Sequence, residues 1–254
     1  MSIWGKRRQV TYLAVAVALV VIVGAGIFVI LKPSATCFDG KQNGNESGVD
    51  CGGSCEKVCL VGVLPLRVAW TRVFSVSPGV YYVIASVDNP NGGIGMKSLP
   101  YTIRLTDEEG LLVTTRKGET FVNPREKFII FEGGIETGAR QAARAAITFD
   151  NDFEWRRISP DKPSLLIEKR SFSNDGKPRL EVSVTNDSIY TLKSIKLPVI
   201  LSDKNGNAFA GSSTVIDRLA KSETRIVVFT WPVSFTELPA SIDVYPRVNL
   251  FNLP

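Results

Sequence analysis

Two stretches of the 254-residue sequence repeat one pattern about 97 residues apart. Residues 87–110 read VDNPNGGIGMKSLPYTIRLTDEEG, and residues 184–206 read VTNDSIYTLKSIKLPVILSDKNG. With one gap of a single residue, the identical positions are Val87, Asn89, Lys97, Ser98, Leu105, Asp107 and Gly110 in the first stretch and Val184, Asn186, Lys193, Ser194, Leu201, Asp203 and Gly206 in the second. A period this long repeats a whole domain and not a short solenoid unit. The sequence therefore predicts two copies of one domain.

Short β-type runs between turn residues make up both copies. Residues 180–185 (LEVSVT) alternate apolar with polar side chains, which predicts a strand with one buried and one exposed face. Further candidate strands are 66–74, 81–87, 101–105, 111–115, 128–131 and 145–149 in the first copy and 195–201, 225–230 and 241–245 in the second. Six or seven strands in about 95 residues are typical of an immunoglobulin-like sandwich of two sheets. The predicted fold class is therefore all-β, with two tandem sandwiches.

The predicted boundaries of the sandwiches are residues 63–160 and 161–254. The junction is expected within Asp150–Pro163, which contains Pro160 and Pro163. One segment, Gly138–Ala146, is compatible either with a helical turn or with irregular structure.

Part of the first copy resembles a known family. One strand ends in V-x-N-P-N at Val87–Asn91, and a later strand reads L-x-Y-x-I-x-L at Leu99–Leu105. These features are similar to those of the water-stress/late-embryogenesis-abundant β-sandwich domain, over about 60 residues. The resemblance implies a fold without catalytic residues and identifies no ligand.

The N-terminal part of the sequence is strongly apolar. Thr11–Leu31 has 21 residues without a charge, enough for a helix to cross a hydrocarbon core of about 30 Å. A cleavable signal peptide is the alternative, but its apolar region is normally only about 7–15 residues. Lys6, Arg7 and Arg8 precede the run, so residues 1–10 are predicted to be cytoplasmic, residues 11–31 transmembrane, and the rest extracytoplasmic.

The net charge of +5 comes mainly from this N-terminal region. From residue 33 onward, 26 basic residues face 25 acidic ones, with no stripe of Lys and Arg such as a phosphate backbone needs. The predicted partners are therefore the membrane and an envelope or surface protein, and nucleic acid is excluded.

All four cysteines lie in the predicted stalk, residues 32–62. Cys37, Cys51, Cys55 and Cys59 have the spacing C-x13-C-x3-C-x3-C, without the C-x2-C pairs typical of zinc sites. Outside the cytoplasm, disulfides are the favoured interpretation over zinc, and three connectivities are open.

The stalk also carries oxygen side chains separated by glycines. These candidate calcium ligands are Asp39, Asn43, Glu46 and Asp50. The EF-hand spacing is not met, and the alternative is a cluster of turns closed by disulfides. The string resembles a C-x-DG-x-x-NG-x-E-x-G-x-DCGG-x-C motif of bacterial surface and secreted proteins, here at 37–55, which implies an exported bacterial protein and no activity. Apart from possible calcium, no cofactor is predicted.

Residues that carry out chemistry are scarce. The chain has no histidine, which excludes Ser–His–Asp and Cys–His nucleophiles and histidine-ligated metals. It also lacks G-x-S-x-G, Walker A and G-x-G-x-x-G motifs in a suitable context. The acidic runs 107–109 and 150–152 are interpreted as solvated turns, with metal or acid–base work as the alternative. No catalytic residue is therefore predicted.

Two other sets of residues are noted. The tripeptides Asn45–Ser47 and Asn186–Ser188 are formal glycosylation sequons, which carry little weight in a bacterial protein. The tryptophans Trp70, Trp155 and Trp231 are expected in the core or between domains and not on a binding platform.

The predicted function is that of a membrane-anchored, non-catalytic, extracytoplasmic structural or protein-binding module. One alternative is a subunit of an envelope-spanning secretion or pilus assembly. The other is an enzyme or solute-binding protein with an unrecognised site.

Overall fold

A computed structural model of the chain describes residues 3–31, 36–150, 153–158 and 162–253. The chain divides into two compact units between Ser54 and Cys55. The first unit contains helix α1 (Ile3–Leu31) and a turn-rich loop from residue 36. Within the described residues, no helix has both the length and the hydrophobicity that crossing a membrane requires. The predicted transmembrane helix is thus not supported, and the side chains of Lys6, Arg7 and Arg8 lie outside the described part.

The second unit, from Cys55 onward, is built of antiparallel strands, so the all-β prediction is confirmed. Its strands are β1 (Arg67–Ser77), β2 (Val80–Asp88), β3 (Ile94–Thr106), β4 (Leu112–Val122), β5 (Lys127–Glu136), β6 (Arg144–Phe149), β7 (Arg156–Arg157), β8 (Leu165–Ser173), β9 (Arg179–Asn186), β10 (Leu192–Ser202), β11 (Ala208–Leu219), β12 (Thr224–Thr230) and β13 (Ser241–Val244). A short 3₁₀ turn follows at Leu250–Asn252.

The strands form four sheets with a repeated order. In the first half the orders are β1-β2-β5 and β4-β3-β6, with β7 added to β3. In the second half they are β8-β9-β12 and β11-β10-β13, which is the same arrangement seven strands later. The repeat seen in the sequence is therefore also a repeat of topology.

Each half has its own apolar core between its two sheets. Leu180, Val182 and Val184 are fully buried in the second core, as their alternation predicts. Ser183 was expected on the exposed face but is 2% exposed. It lies on the central strand β9, between its backbone partners Glu168 of β8 and Ile226 of β12. Trp155 lies in the first core and Trp231 in the second, as expected.

Asn89 and Asn186 show how closely the copies correspond. Both side chains are fully buried at the end of a core strand. The Nδ2 of Asn89 donates to the carbonyls of Ile94 and Asn123 at 3.1 and 2.8 Å. Asn186 donates to three carbonyls, those of Tyr190, Leu219 and Ala220. Each asparagine fastens the end of its strand to the loops beside it, because buried backbone carbonyls need donors.

A third apolar cluster joins the two halves. Its buried members are Tyr82, Ile84, Ile129, Ile200 and Ala208, from β2 and β5 on one side and β10 and β11 on the other. Trp70, Phe74, Phe131 and Tyr245 pack around them. We name these nine residues the joining cluster. The sequence predicted an interdomain position for a tryptophan, and Trp70 occupies it.

Polar contacts accompany the joining cluster. The backbone N–H of Gly211 donates to the Oη of Tyr82 at 3.2 Å, and Arg72 donates to the carbonyl of Ala208 at 2.6 Å. A Cβ at Gly211 would lie 2.4 Å from the Cδ1 of Ile84. Glycine at this position therefore lets β11 approach β2 closely enough to bury Ile84.

The segment after β13 runs back across the first half. Arg247, 2% exposed, donates to both carboxylate oxygens of Glu126 at 3.2 and 3.1 Å. It also donates to the Oγ1 of Thr120 and the carbonyl of Phe121. Its guanidinium lies 4.3 and 4.1 Å from the ring centroids of Phe121 and Phe128. These contacts satisfy a buried charge with a counter-ion, hydrogen bonds and aromatic faces.

Two connecting segments, 138–146 and 55–58, were predicted only in part from the sequence. Gly138–Ala146 forms no helix, and β6 begins within it at Arg144. Residues 55–58, predicted as stalk, run along 155–157, with the N–H of Val58 donating to the carbonyl of Trp155 at 2.8 Å. Of the expected junction Asp150–Pro163, residues 151–152 and 159–161 lie outside the described part.

Candidate functional site

The loop of residues 36–54 brings the four candidate calcium ligands together through hydrogen bonds. The carboxylate of Asp50 accepts from the backbone N–H groups of Asp39 and Gly40 at 3.0–3.1 Å. The Oε2 of Glu46 accepts from the N–H groups of Asn43 and Asp50 at 3.2 and 3.3 Å. The carboxylates thus close turns of the loop, which is the arrangement that the turn interpretation describes.

Asp39 joins the same network. Its Oδ2 accepts from the Nδ2 of Asn43 at 2.8 Å, and its Oδ1 accepts from the N–H of Lys41 at 3.0 Å. The hydrogen bond from Asn43 is the main cause that lowers the pKa of Asp39. Calcium would compete with these donors at the carboxylates of Asp39, Glu46 and Asp50, whereas the buried Oδ1 of Asn43 has no hydrogen-bond partner within the described residues. Calcium binding stays a prediction.

Backbone geometry fixes the loop further. Gly53 has a φ of +56°, and a Cβ there would lie 1.5 Å from the carbonyl oxygen of Asn45. Only glycine therefore allows the two turns of this loop to touch.

All four predicted cysteines are disulfide-bonded: Cys37, Cys51, Cys55 and Cys59. The disulfide prediction is confirmed, and the alternative of zinc bound by these thiolates is wrong. Cys55 is 2% exposed. A loop this short has little apolar core, so the cross-links supply most of its order.

An open groove of about 930 Å³ lies where three connections of the first half meet. They are the β1–β2 turn at 77–79, the β3–β4 turn at 107–110 and the β5–β6 connection at 138–143. Thr137 fastens two of them, because its N–H donates to the carbonyl of Gly79 at 2.9 Å. The groove is therefore formed by loops that adjacent strands hold at fixed positions.

Arg140 spans the groove. Its Nη2 donates to the Oδ2 of Asp107 at 2.9 Å, and its Nη1 donates to the carbonyl of Leu112 at 2.6 Å. Desolvation opposes ionisation of Asp107, but the hydrogen bonds from Leu111 and Arg140 together lower its pKa. Asp107 is thus an ionised structural group.

Glu108 and Glu109 complete the acidic run. Both are exposed at the groove, and neither forms an ion pair within the described part of the chain. Two unpaired carboxylates give this rim a negative charge, which would attract basic side chains of a partner.

The sequence placed the run 107–109 in a turn, correctly, but could not show that the turn faces a groove. The other walls come from 77–79 and 138–143, which are distant in sequence and carry no motif. In the other acidic run, Asp150 accepts from Thr102 at 3.4 Å, and residues 151–152 lie outside the described part.

Comparisons with known proteins do not assign the chain to a family. No family model matches the chain, and no curated protein matches it. A distant match among solved structures is red sea bream transglutaminase, with a TM-score of 0.26 and 15% sequence identity. The match covers 73% of this chain and 31% of that protein, so the chain spans less than a third of its length. A similarity this low carries no argument about function.

Proposed function

We propose that the protein is a non-catalytic binding module that holds a partner protein at the groove of the first half. The observation that carries the proposal is the groove itself, where Glu108 and Glu109 stand unpaired beside a fixed Arg140–Asp107 ion pair. Loops at one end of a β-sandwich commonly bind proteins, because the strands hold the loops while their side chains remain free. The partner surface would carry Lys or Arg opposite the two glutamates.

The second half offers a matched reference turn. Asp203–Gly206 corresponds to Asp107–Gly110, and both turns close with a hydrogen bond from the glycine N–H to the aspartate carbonyl. Lys204 and Asn205 stand where Glu108 and Glu109 stand in the first half. The turns therefore share geometry and differ in charge.

A photo-crosslinking amino acid would test the proposal in the full chain in its own membranes or cells. Placed at Glu109, it should give one defined adduct with a protein, and at Asn205 it should give none. Adding Glu108→Lys to the Glu109 probe should abolish the adduct. Equal adducts at both positions, or none at Glu109, would contradict the groove as a contact site.

The location outside the cytoplasm is part of the proposal. It is supported by the four disulfide-bonded cysteines, since disulfides persist in oxidising compartments, and by Lys6, Arg7 and Arg8 before an uncharged run. The proposed anchor is this run, Thr11–Leu31, in the bacterial envelope. A cysteine introduced at Lys204 should react with an impermeant thiol reagent on intact cells. Reaction only after lysis would contradict this location.

The two other functions make different predictions. A subunit of a secretion or pilus assembly should purify in mild detergent with several stoichiometric proteins. An enzyme should show a turnover that one substitution of Asp, Glu or Ser abolishes. The crosslinking result distinguishes both from a module with one partner.

A further inference from the structure

We propose that Asn45 is an acceptor for an N-linked glycan and that Asn186, in the other sequon, is not. The inference rests on the proposed location outside the cytoplasm and requires a cell that has, in that compartment, an oligosaccharyltransferase accepting Asn-x-Ser. Both tripeptides satisfy N-x-S, so sequence alone treats them alike. Their environments in the structure are opposite.

Asn45 lies at the tip of a turn. The N–H of Glu46 donates to the carbonyl of Asn43 at 3.2 Å, which places Asn45 at the third position of a β-turn. Asn45 and Ser47 are both exposed. The structure gives the side-chain amide of Asn45 no hydrogen bond within the described part of the chain. Its Nδ2 is therefore open to an approaching electrophile.

The backbone under this turn is fixed while the side chain is free. The carbonyl of Asn45 lies against Gly53, and the N–H of Ser47 donates to the carbonyl of Cys51 at 3.0 Å. A bulky polar group added to Nδ2 would project into solvent and displace no contact of the loop. The modification is thus compatible with the folded, disulfide-bonded loop.

Asn186 has the opposite environment. It is fully buried, and its Nδ2 donates to three backbone carbonyls at 2.7–3.1 Å. Its Oδ1 accepts from the N–H and the hydroxyl of Ser188 at 3.0 and 2.6 Å. Glycosylation there would break these bonds and open the end of β9. The second sequon is a structural element of the fold.

The transfer step balances without an oxidant or reductant. Nδ2 of Asn45 attacks the anomeric carbon of a lipid-linked oligosaccharide and forms a C–N bond. The bond between that carbon and the pyrophosphate oxygen breaks, and the lipid pyrophosphate leaves with the electron pair. One proton of Nδ2 passes to solvent. The co-reactant is therefore a lipid pyrophosphate-linked oligosaccharide, delivered by an oligosaccharyltransferase that accepts Asn-x-Ser.

The test uses the full, disulfide-bonded chain, made without glycan and incubated with such a transferase and its lipid-linked oligosaccharide. Peptide mass spectrometry should find one glycan, on Asn45. Ser47→Ala should abolish the transfer, and the matched Ser188→Ala should leave it unchanged.

Two results would overturn the inference. One is an unmodified Asn45 in a reaction that modifies a control N-x-S peptide in the same tube. The other is modification of Asn186 in the folded chain. Neither result bears on the crosslinking test of the groove, so failure of this inference and failure of the proposed function can be told apart.

Discussion

Two equivalent sheet faces of the molecule differ sharply in chemistry. The outer face of β1-β2-β5 carries Tyr82 and Ile84, which are buried in the joining cluster. The corresponding positions on β8-β9-β12 are Arg179 and Glu181, an ion pair of 2.7 Å with half- and one-third-exposed side chains. The strand pairing supports this correspondence. Ile84 is paired with Phe131 and Glu181 with Val228, and the members of each set are 97 residues apart.

The difference shows that packing between the two sheets restricts the residue types on the inner faces of a sandwich. The outer faces accept either apolar or charged side chains. Val87 and Val184 are both fully buried at corresponding positions of the two cores. The outer faces differ, and that of the first half packs against β10 and β11 of the second half. The outer face of the second half instead carries the Arg179–Glu181 ion pair together with the exposed side chains of Leu166, Ile226 and Val228.

The largest effect is expected when Ile84 and Glu181 are each replaced by the residue type found at the other position. Ile84→Glu places a buried carboxylate in the joining cluster, where Arg72 on the neighbouring strand already donates to Ala208 and Asn207, and we expect a loss of about 3–5 kcal/mol in the free energy of unfolding, measured with denaturant. Ile84→Ala, which adds no charge, should lose about 2–5 kcal/mol and keep the fold measurable. Glu181→Ile is the matched control and should change stability little. A stable Ile84→Glu chain would mean that the halves do not share this cluster in solution.

Equivalent glutamates provide the next comparison. Glu126 and Glu223 each accept from the N–H of the residue three positions earlier, Asn123 and Ala220. Glu126 pairs with buried Arg247, whereas Glu223 pairs with exposed Arg225 at 2.7 Å. Arg247→Ala leaves a buried carboxylate unpaired, and we expect a loss of about 3–5 kcal/mol in the free energy of unfolding. Arg225→Ala should change it little, and equal losses would contradict this assignment.

Several features of the fold were predictable from sequence because they are local. The alternation at 180–185 located β9 and its buried face, and the repeat identified corresponding positions such as Asn89 and Asn186. Strands β8 (LLIEKRSFS) and β11 were not predicted from the sequence. The small and polar residues of β11 show no clear alternation.

The contacts between the halves were not predictable in the same way. Arg247 and Glu126 are 121 residues apart, and nothing in either neighbourhood marks them as a pair. The groove likewise depends on three loops that only the sheets bring together. The disulfides were predictable from residue type and clustering, but the use of Asp39, Glu46 and Asp50 as turn acceptors required the loop geometry.

A smaller effect is expected at Tyr82, whose Arg179 counterpart needs no buried partner. Burial raises the pKa of Tyr82, although the N–H of Gly211 donates to its Oη. Tyr82→Phe keeps the ring stacking with Phe74 at 4.9 Å but leaves that N–H without an acceptor. We expect a loss of about 1–3 kcal/mol in the free energy of unfolding. An unchanged stability would mean that the N–H of Gly211 finds another acceptor in solution.

The smallest effect is expected at Lys196, whose backbone pairs with that of Arg247. Desolvation, and then the charge of Arg247, lower the pKa of Lys196, while Glu132 and Glu119 act in the opposite direction. Because the folded state disfavours the protonated amine, the unfolded chain binds more protons between the lowered pKa and the ordinary pKa of lysine, so stability rises with pH across that window. Lys196→Met removes this half-buried charge and should raise the free energy of unfolding at neutral pH by no more than about 1 kcal/mol. The gain should shrink as pH rises through the window. The control is Lys193→Met, at an exposed position of the same strand, which should give no gain in stability. A loss of stability in Lys196→Met would contradict the prediction, because it would show that the attraction of the Lys196 ammonium to Glu132 and Glu119 outweighs its desolvation.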